Sequence, residues 1–232
     1  MSAAHPPSTL SAARAVLYKE LTLERRAPQT LTAMALFCAS AFVIFHFALG
    51  RNEIEGAIAS GVLWVTLTLA ALLGIGRSFV ADREEGGLDG FLLAPAPRSA
   101  LLIAKAMTLF IFLLIVGLLA SMLFAVLLLG PTPTVSQWGS LALLIVLADL
   151  GIALVGTLIA GIAIQTRARD LITSILALPL LIPLLIAVTK ASEPLLSAGG
   201  GTLVGRWLAL LGLYDLIFGL LAYALFDYLV ED

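Results

Sequence analysis

A chain of 232 residues that is 61% hydrophobic and 12% charged has about half the charged share of an average soluble domain, and its mean hydropathy of +1.09 agrees. That leaves too little polar surface to clothe a soluble core, so the class is an integral membrane protein. The net charge of −2 argues against a nucleic-acid partner, and the single cysteine, Cys38, excludes an internal disulfide or a cysteine cluster for metal.

Residues 1–29 form a leader of their own. In "STLSAARAVLYKELTLERR", Leu10, Ala13, Leu17 and Leu21 recur at helical spacing while Arg14, Lys19, Glu20, Glu24 and Arg25 fall mostly elsewhere on the wheel. The pattern predicts an amphipathic helix in the cytoplasmic interface of the membrane.

Residues 30–232 form the membrane domain. A bilayer core of about 30 Å needs roughly 20 helical residues, and six apolar stretches reach that length: Thr30–Leu49, Ala57–Gly76, Leu101–Leu129, Ser140–Ile164, Leu171–Thr189 and Trp207–Val230. None shows the alternation of a membrane barrel, so the expected fold class is an all-α protein with six transmembrane helices. The first span is longer than a signal-peptide core and follows a leader of mixed charge, so it is expected to be retained.

Charge sets the orientation. With the N-terminus in the cytoplasm, the inside segments hold Arg14, Lys19, Arg25, Arg26, Arg77, Arg83, Arg98, Lys105, Arg167 and Arg169, and the outside segments only Arg51, Lys190 and Arg206. This bias predicts both termini on the cytoplasmic side.

The loop between the second and third spans, "RSFVADREEGGLDGFLLAPAPRSA", is far longer than a turn requires. Gly86 and Gly87 break the helix that leaves the second span. "LDGFLLA" then puts Leu88, Phe91 and Leu92 on one face of a short helix, which Pro95 and Pro97 end. Such a face needs cover, either from the lipid interface or from a groove on a cytoplasmic partner. The flanking acids favour the partner, because the inner leaflet repels them.

Several residues within or beside the spans stand out. Asp149 lies near mid-depth of the fourth span, where an isolated carboxylate is costly to ionise. It is expected to be mostly neutral and to line a dimer or partner surface, with the small-residue ridge Ala153, Thr157 and Gly161 below it. Asp215 is expected to cap an outer interface and Asp227 to snorkel to the inner one. His46 lies close to the outer end of the first span, where an interfacial imidazole needs no ligand. Pro179 and Pro183, four residues apart in the fifth span, predict a helix break or a re-entrant segment. Trp138 and Trp207 read as anchors at the outer interface, whereas Trp64 carries no such signal.

"GVLWVTLTLAALLGIGRSFVADREEGGLDGFLLAPAPRSALLIAK" strongly resembles the second span, first cytoplasmic loop and third-span start of the CcmB family, the haem-exporter permeases of cytochrome c maturation. "LTLERRAPQTLTAMALF", "LALPLLIPLLIA" and "YDLIFGLLAYALFDYLVED" are similar to other parts of that family, so the resemblance touches most of the chain from about residue 17 onward. It implies a non-catalytic ABC permease domain in a bacterial inner membrane, paired with a second copy of itself and with separate ATP-binding subunits of CcmA type. Further implied partners are CcmC- and CcmD-type membrane proteins and the haem chaperone CcmE. ATP and magnesium would sit in the ATP-binding partner, and haem would be a substrate, not a resident cofactor. The same resemblance makes Glu84, Glu85, Gly86, Leu88, Phe91 and Leu92 the coupling helix region that docks on the ATPase. The residues agree in one respect: no Gly-rich loop followed by Lys-Ser/Thr is present to cradle phosphate, and "LSAGGGT" at 196–202 reads as a flexible outer loop. The competing readings are an ABC-2-type permease for a lipid, glycan or drug, an intramembrane enzyme, and a scaffold. One deep acid does not build a catalytic site.

Overall fold

The computed structural model describes residues 8–50, 53–77, 98–163 and 169–229. Among them seven α-helices follow one another: α1 (Thr9–Arg26), α2 (Thr30–Ala48), α3 (Gly56–Arg77), α4 (Arg98–Leu127), α5 (Val135–Ala163), α6 (Arg169–Ser192) and α7 (Gly205–Leu229), with a 3₁₀ turn at Glu193–Leu196. Helices α2 to α7 supply six segments long and apolar enough to cross a membrane. The fold is thus all-helical and multi-pass.

Helix α5 is the hub, packed against α4, α6 and α7. Leu144, Ile145, Ala148, Ile152, Ala153, Val155 and Thr157 are buried on several sides of it. Close approach depends on glycine: a Cβ at Gly156 would lie 2.6 Å from Ile75 Cγ1 of α3 and 3.2 Å from Leu109 Cδ2 of α4. The outer helices leave apolar faces uncovered, such as Leu36, Ile44 and Phe47 on α2 and Leu213, Leu216 and Leu220 on α7. In a membrane chain such faces meet lipid tails or a neighbouring membrane helix.

Ala153 and Thr157 are buried within this one chain, and the Thr157 hydroxyl donates to the Ala153 carbonyl of its own helix at 2.7 Å. The small-residue ridge, suited to close helix contact, is thus buried inside the chain.

Helix α5 begins five residues before the expected Ser140. Gln137 Oε1 accepts from the Thr134 amide at 2.7 Å, and Thr134 Oγ1 accepts from the Gln137 amide at 3.4 Å. This is a reciprocal capping box, and it fixes the start.

The break expected at Pro179 and Pro183 is corrected too: α6 runs through both prolines as one helix. Pro183 leaves the Pro179 carbonyl without its usual donor. On the adjoining carbonyl, that of Leu180, the Tyr214 hydroxyl of α7 donates a hydrogen bond of 2.9 Å, so a neighbouring helix supports the weakened turn.

Helix α1 differs from its expected face. Ser8 caps it, its side chain accepting from the Ser11 amide at 3.4 Å. Ala12 and Ala13, with Val16 beside them, pack on Ala100, Ile103 and Ala104 of α4, whereas Leu10 stays 77% exposed. Paired alanines let two helix backbones come close, so the leader docks on the bundle and does not rest on lipid alone.

The opposite end is laced together. The Ile54 amide donates to the Leu128 carbonyl at 2.8 Å, and the Gly130 amide donates back to Ile54 at 3.2 Å. Glu55 Oε2 accepts from the Ala198 amide at 2.7 Å. The α2–α3, α4–α5 and α6–α7 connections thus share one end of the bundle, while α1, the end of α3 and the start of α4 share the other.

Candidate functional site

At the α1 end, four charged residues converge from three helices. Lys105 is 2% exposed and its Nζ lies 3.1 Å from Glu20 Oε1. Glu24 Oε1 accepts from the Leu31 amide at 2.7 Å, capping α2, whose own N-cap residue, Gln29, makes no side-chain cap. Arg77 Nη1 of α3 donates to the Gln29 carbonyl at 3.2 Å. These residues surround a cavity of about 220 Å³, deepened by Thr108, Leu109 and Phe112 of α4 and by Gly74 of α3. Sequence reasoning counted Lys105 only as an inside charge. The available signal was that Lys105 is the one cation within the six assigned spans, and a lone intramembrane cation needs a partner.

Two carboxyl groups occupy the middle of the bundle. Asp149 is 2% exposed, and its Oδ2 is buried with no hydrogen-bond partner. It faces α4, where a Cβ at Gly117 would lie 3.2 Å from that oxygen. Its expected place at a surface between chains is therefore corrected: it is buried within the helices of this one chain. Asp215 does not cap an outer interface. It is 8% exposed and both its oxygens lack hydrogen-bond partners. It starts roughly 15 Å down α7 by helix rise and faces Gly151 of α5, whose added Cβ would stand 2.6 Å from Asp215 Oδ1. The missed signal was the glycine two residues after Asp149, which opens α5 to a polar neighbour. The side chain of Asp227 lies outside the described residues.

At the laced end, His46 Nδ1 stands 2.8 Å from the Leu127 carbonyl. A carbonyl can only accept, so Nδ1 carries the hydrogen and Nε2 is the ring's acceptor when neutral. The ring meets Phe47 edge-on at 5.3 Å. His46 is the only histidine among the described residues, and no group of three or more His, Cys, Asp or Glu there could hold a metal ion. Trp64 is fully buried and donates to Ser192 Oγ at 2.9 Å. The Arg206 guanidinium lies 4.9 Å from the Trp207 ring centroid.

Glu84, Glu85, Gly86, Leu88, Phe91 and Leu92 lie outside the described residues. Helix α3 ends before them at Arg77, which lines the charged cavity, and α4 begins after them at Arg98.

The family model described as "CcmB protein" matches residues 11–227. The chain belongs to the CcmB family. Among relatives of this CcmB-family chain, "Heme exporter protein B" of Rhodobacter capsulatus is 36% identical over 174 residues, covering 75% of this chain and 78% of the relative. The protein of that name from Pseudomonas aeruginosa is 30% identical over 179 residues, covering 77% and 79%. That from Paracoccus denitrificans is 31% identical over 182 residues, covering 77% and 81%. The matched stretch takes in all six apolar helices of the CcmB-family chain.

Proposed function

We infer that this chain is the membrane-spanning, non-catalytic permease subunit of an ABC transporter that serves haem export for cytochrome c maturation in a bacterial inner membrane. The observation that carries the reading is the CcmB match across residues 11–227, joined by relatives named for haem export. Two copies of the chain would pair with two ATP-binding subunits of CcmA type, which hold the ATP and magnesium. CcmC- and CcmD-type proteins and the chaperone CcmE complete the assembly, and hydrolysis releases haem-loaded chaperone. Haem is the substrate in this scheme. His46, with Nε2 as its acceptor, is a candidate contact for it.

The loop 77–100 is the coupling element. Leu88, Phe91 and Leu92 would seat in a groove of the ATPase, with Glu84, Glu85 and Gly86 at its edge. A push there passes directly into the ends of α3 and α4, and α4 packs on the buried hub α5. Charge asymmetry puts this end, with both termini, in the cytoplasm.

Deletion of the gene in its native host tests the reading. Haem staining should show loss of covalently haem-loaded c-type cytochromes, restored by the parent gene. Unchanged haem staining in the deletion strain would contradict it.

A further inference from the structure

The charged cavity under α1 has a composition that neither haem nor a simple anion explains. At about 220 Å³ it falls below the range of about 300–1,000 Å³ typical of drug-sized ligands, so a macrocycle does not fit within it. Among the described lining residues the charges are balanced, with Glu20 and Glu24 against Arg77 and Lys105. They are not equally engaged. Lys105 pairs with Glu20 at 3.1 Å, and Lys19 lies 3.6 Å from the same carboxylate oxygen. Glu24 spends Oε1 on the Leu31 amide. Arg77 donates one hydrogen bond, to Gln29, and has no carboxylate within ion-pair distance among the described residues. The cavity wall therefore carries a cation and an anion, each tied to the backbone at the start of α2.

Depth adds a second constraint. Lys105, Thr108 and Phe112 line one face of α4, descending about 10 Å from charge to aromatic ring. A membrane phospholipid has the same gradient, from a charged head at the interface to apolar chains below.

We propose that this cavity binds the headgroup of a zwitterionic phospholipid bearing a primary ammonium, with its phosphate on Arg77 and its ammonium on Glu24. Arginine pairs with phosphate through two parallel N–H donors. A primary ammonium offers three donors to Glu24, whereas a quaternary one offers none. Leu109 and Phe112 then meet the start of the acyl chains. The bound lipid would join α1 to the ends of α2, α3 and α4. The proposal does not depend on what the chain transports.

The test is native mass spectrometry of the full chain, purified and delipidated, then titrated with phosphatidylethanolamine, phosphatidylcholine or phosphatidylglycerol. The parent is expected to retain phosphatidylethanolamine about tenfold better than the other two. Glu24→Gln keeps an oxygen to cap Leu31 but removes the charge, and should abolish that preference. Arg77→Gln should cut retention about tenfold, and Arg77→Lys should restore part of it. A partial rescue of this kind separates lipid pairing from misfolding. Equal retention of phosphatidylethanolamine and phosphatidylglycerol would overturn the zwitterionic site. So would unchanged retention in Arg77→Gln. Free phosphoethanolamine displacing the lipid at equimolar concentration would overturn a membrane lipid as the occupant.

Discussion

Gly151 of α5 and Asp215 of α7 meet so closely that a Cβ on the glycine would stand 2.6 Å from Asp215 Oδ1. The same arrangement recurs two residues earlier, where Asp149 lies over Gly117 of α4. Each deep acid of the described bundle is thus set against a glycine on the facing helix. A Cβ at Gly151 would collide with the Asp215 carboxyl group, and one at Gly117 would crowd that of Asp149 at 3.2 Å.

Gly151→Ala should therefore be costly. Overpacking a filled core costs about 1–3 kcal/mol, so thermal unfolding in detergent should show a lowered midpoint. Gly61→Ala, where nothing lies within 4 Å of the added carbon, should leave the midpoint unchanged or slightly raised. Equal midpoints for the two variants would contradict the close approach.

Asp149→Asn preserves the shape of the side chain and its capacity to hydrogen bond. An ionised, unpartnered carboxylate in hydrocarbon costs several kcal/mol, and no partner meets Asp149 Oδ2 here. The variant should assemble and support cytochrome c maturation nearly as well as the parent, as read by haem staining. Loss of maturation with assembly intact would assign Asp149 a proton-coupled or substrate-contacting role.

Lys105 and Glu20 should couple α1 to α4. A double-mutant cycle with Lys105→Met and Glu20→Gln, read by thermal unfolding, should give a coupling energy of about 1–3 kcal/mol. Additivity within about 0.3 kcal/mol would mean that the Lys105–Glu20 pair does not hold the leader.

What was legible in the sequence followed from strong, local signals. Six long apolar runs cannot be anything but six buried or lipid-facing helices, and the 61–105 segment carried the family. The misreadings all concern partners that lie far away in the chain. The alternation of Leu10, Ala13, Leu17 and Leu21 shows that α1 is amphipathic, but nothing local shows that Ala12 and Ala13 meet Ala100 and Ala104. Pro179 and Pro183 predict a break when only their own helix is considered, whereas Tyr214 of another helix supports the turn. Asp215 resembled an end cap because its distance from Trp207 is short, but the glycine that receives it sits in α5. The start of α5 was readable: Thr134 and Gln137 spell a capping box before the apolar run.

Topology can be read independently. Reporter fusions at Gly130 and Gly200 should appear outside, and one at Ala168 inside. The two outer positions belong to the laced end, where Gly130 and Gly200 lie near Glu53 and Gln137. A cytoplasmic signal at Gly200 would require α6 to turn back within the membrane.

The central claim is that this chain couples to a separate ATPase through the 77–100 loop, and co-purification from native membranes tests it most directly. The tagged parent should bring down an ATP-binding subunit in equal amount. Leu92→Asp should insert into the membrane normally yet recover at least about tenfold less ATPase, as expected when a charge enters the centre of a docking face. Recovery of the ATPase at parental levels by Leu92→Asp, or no ATPase with the parent, would contradict the account.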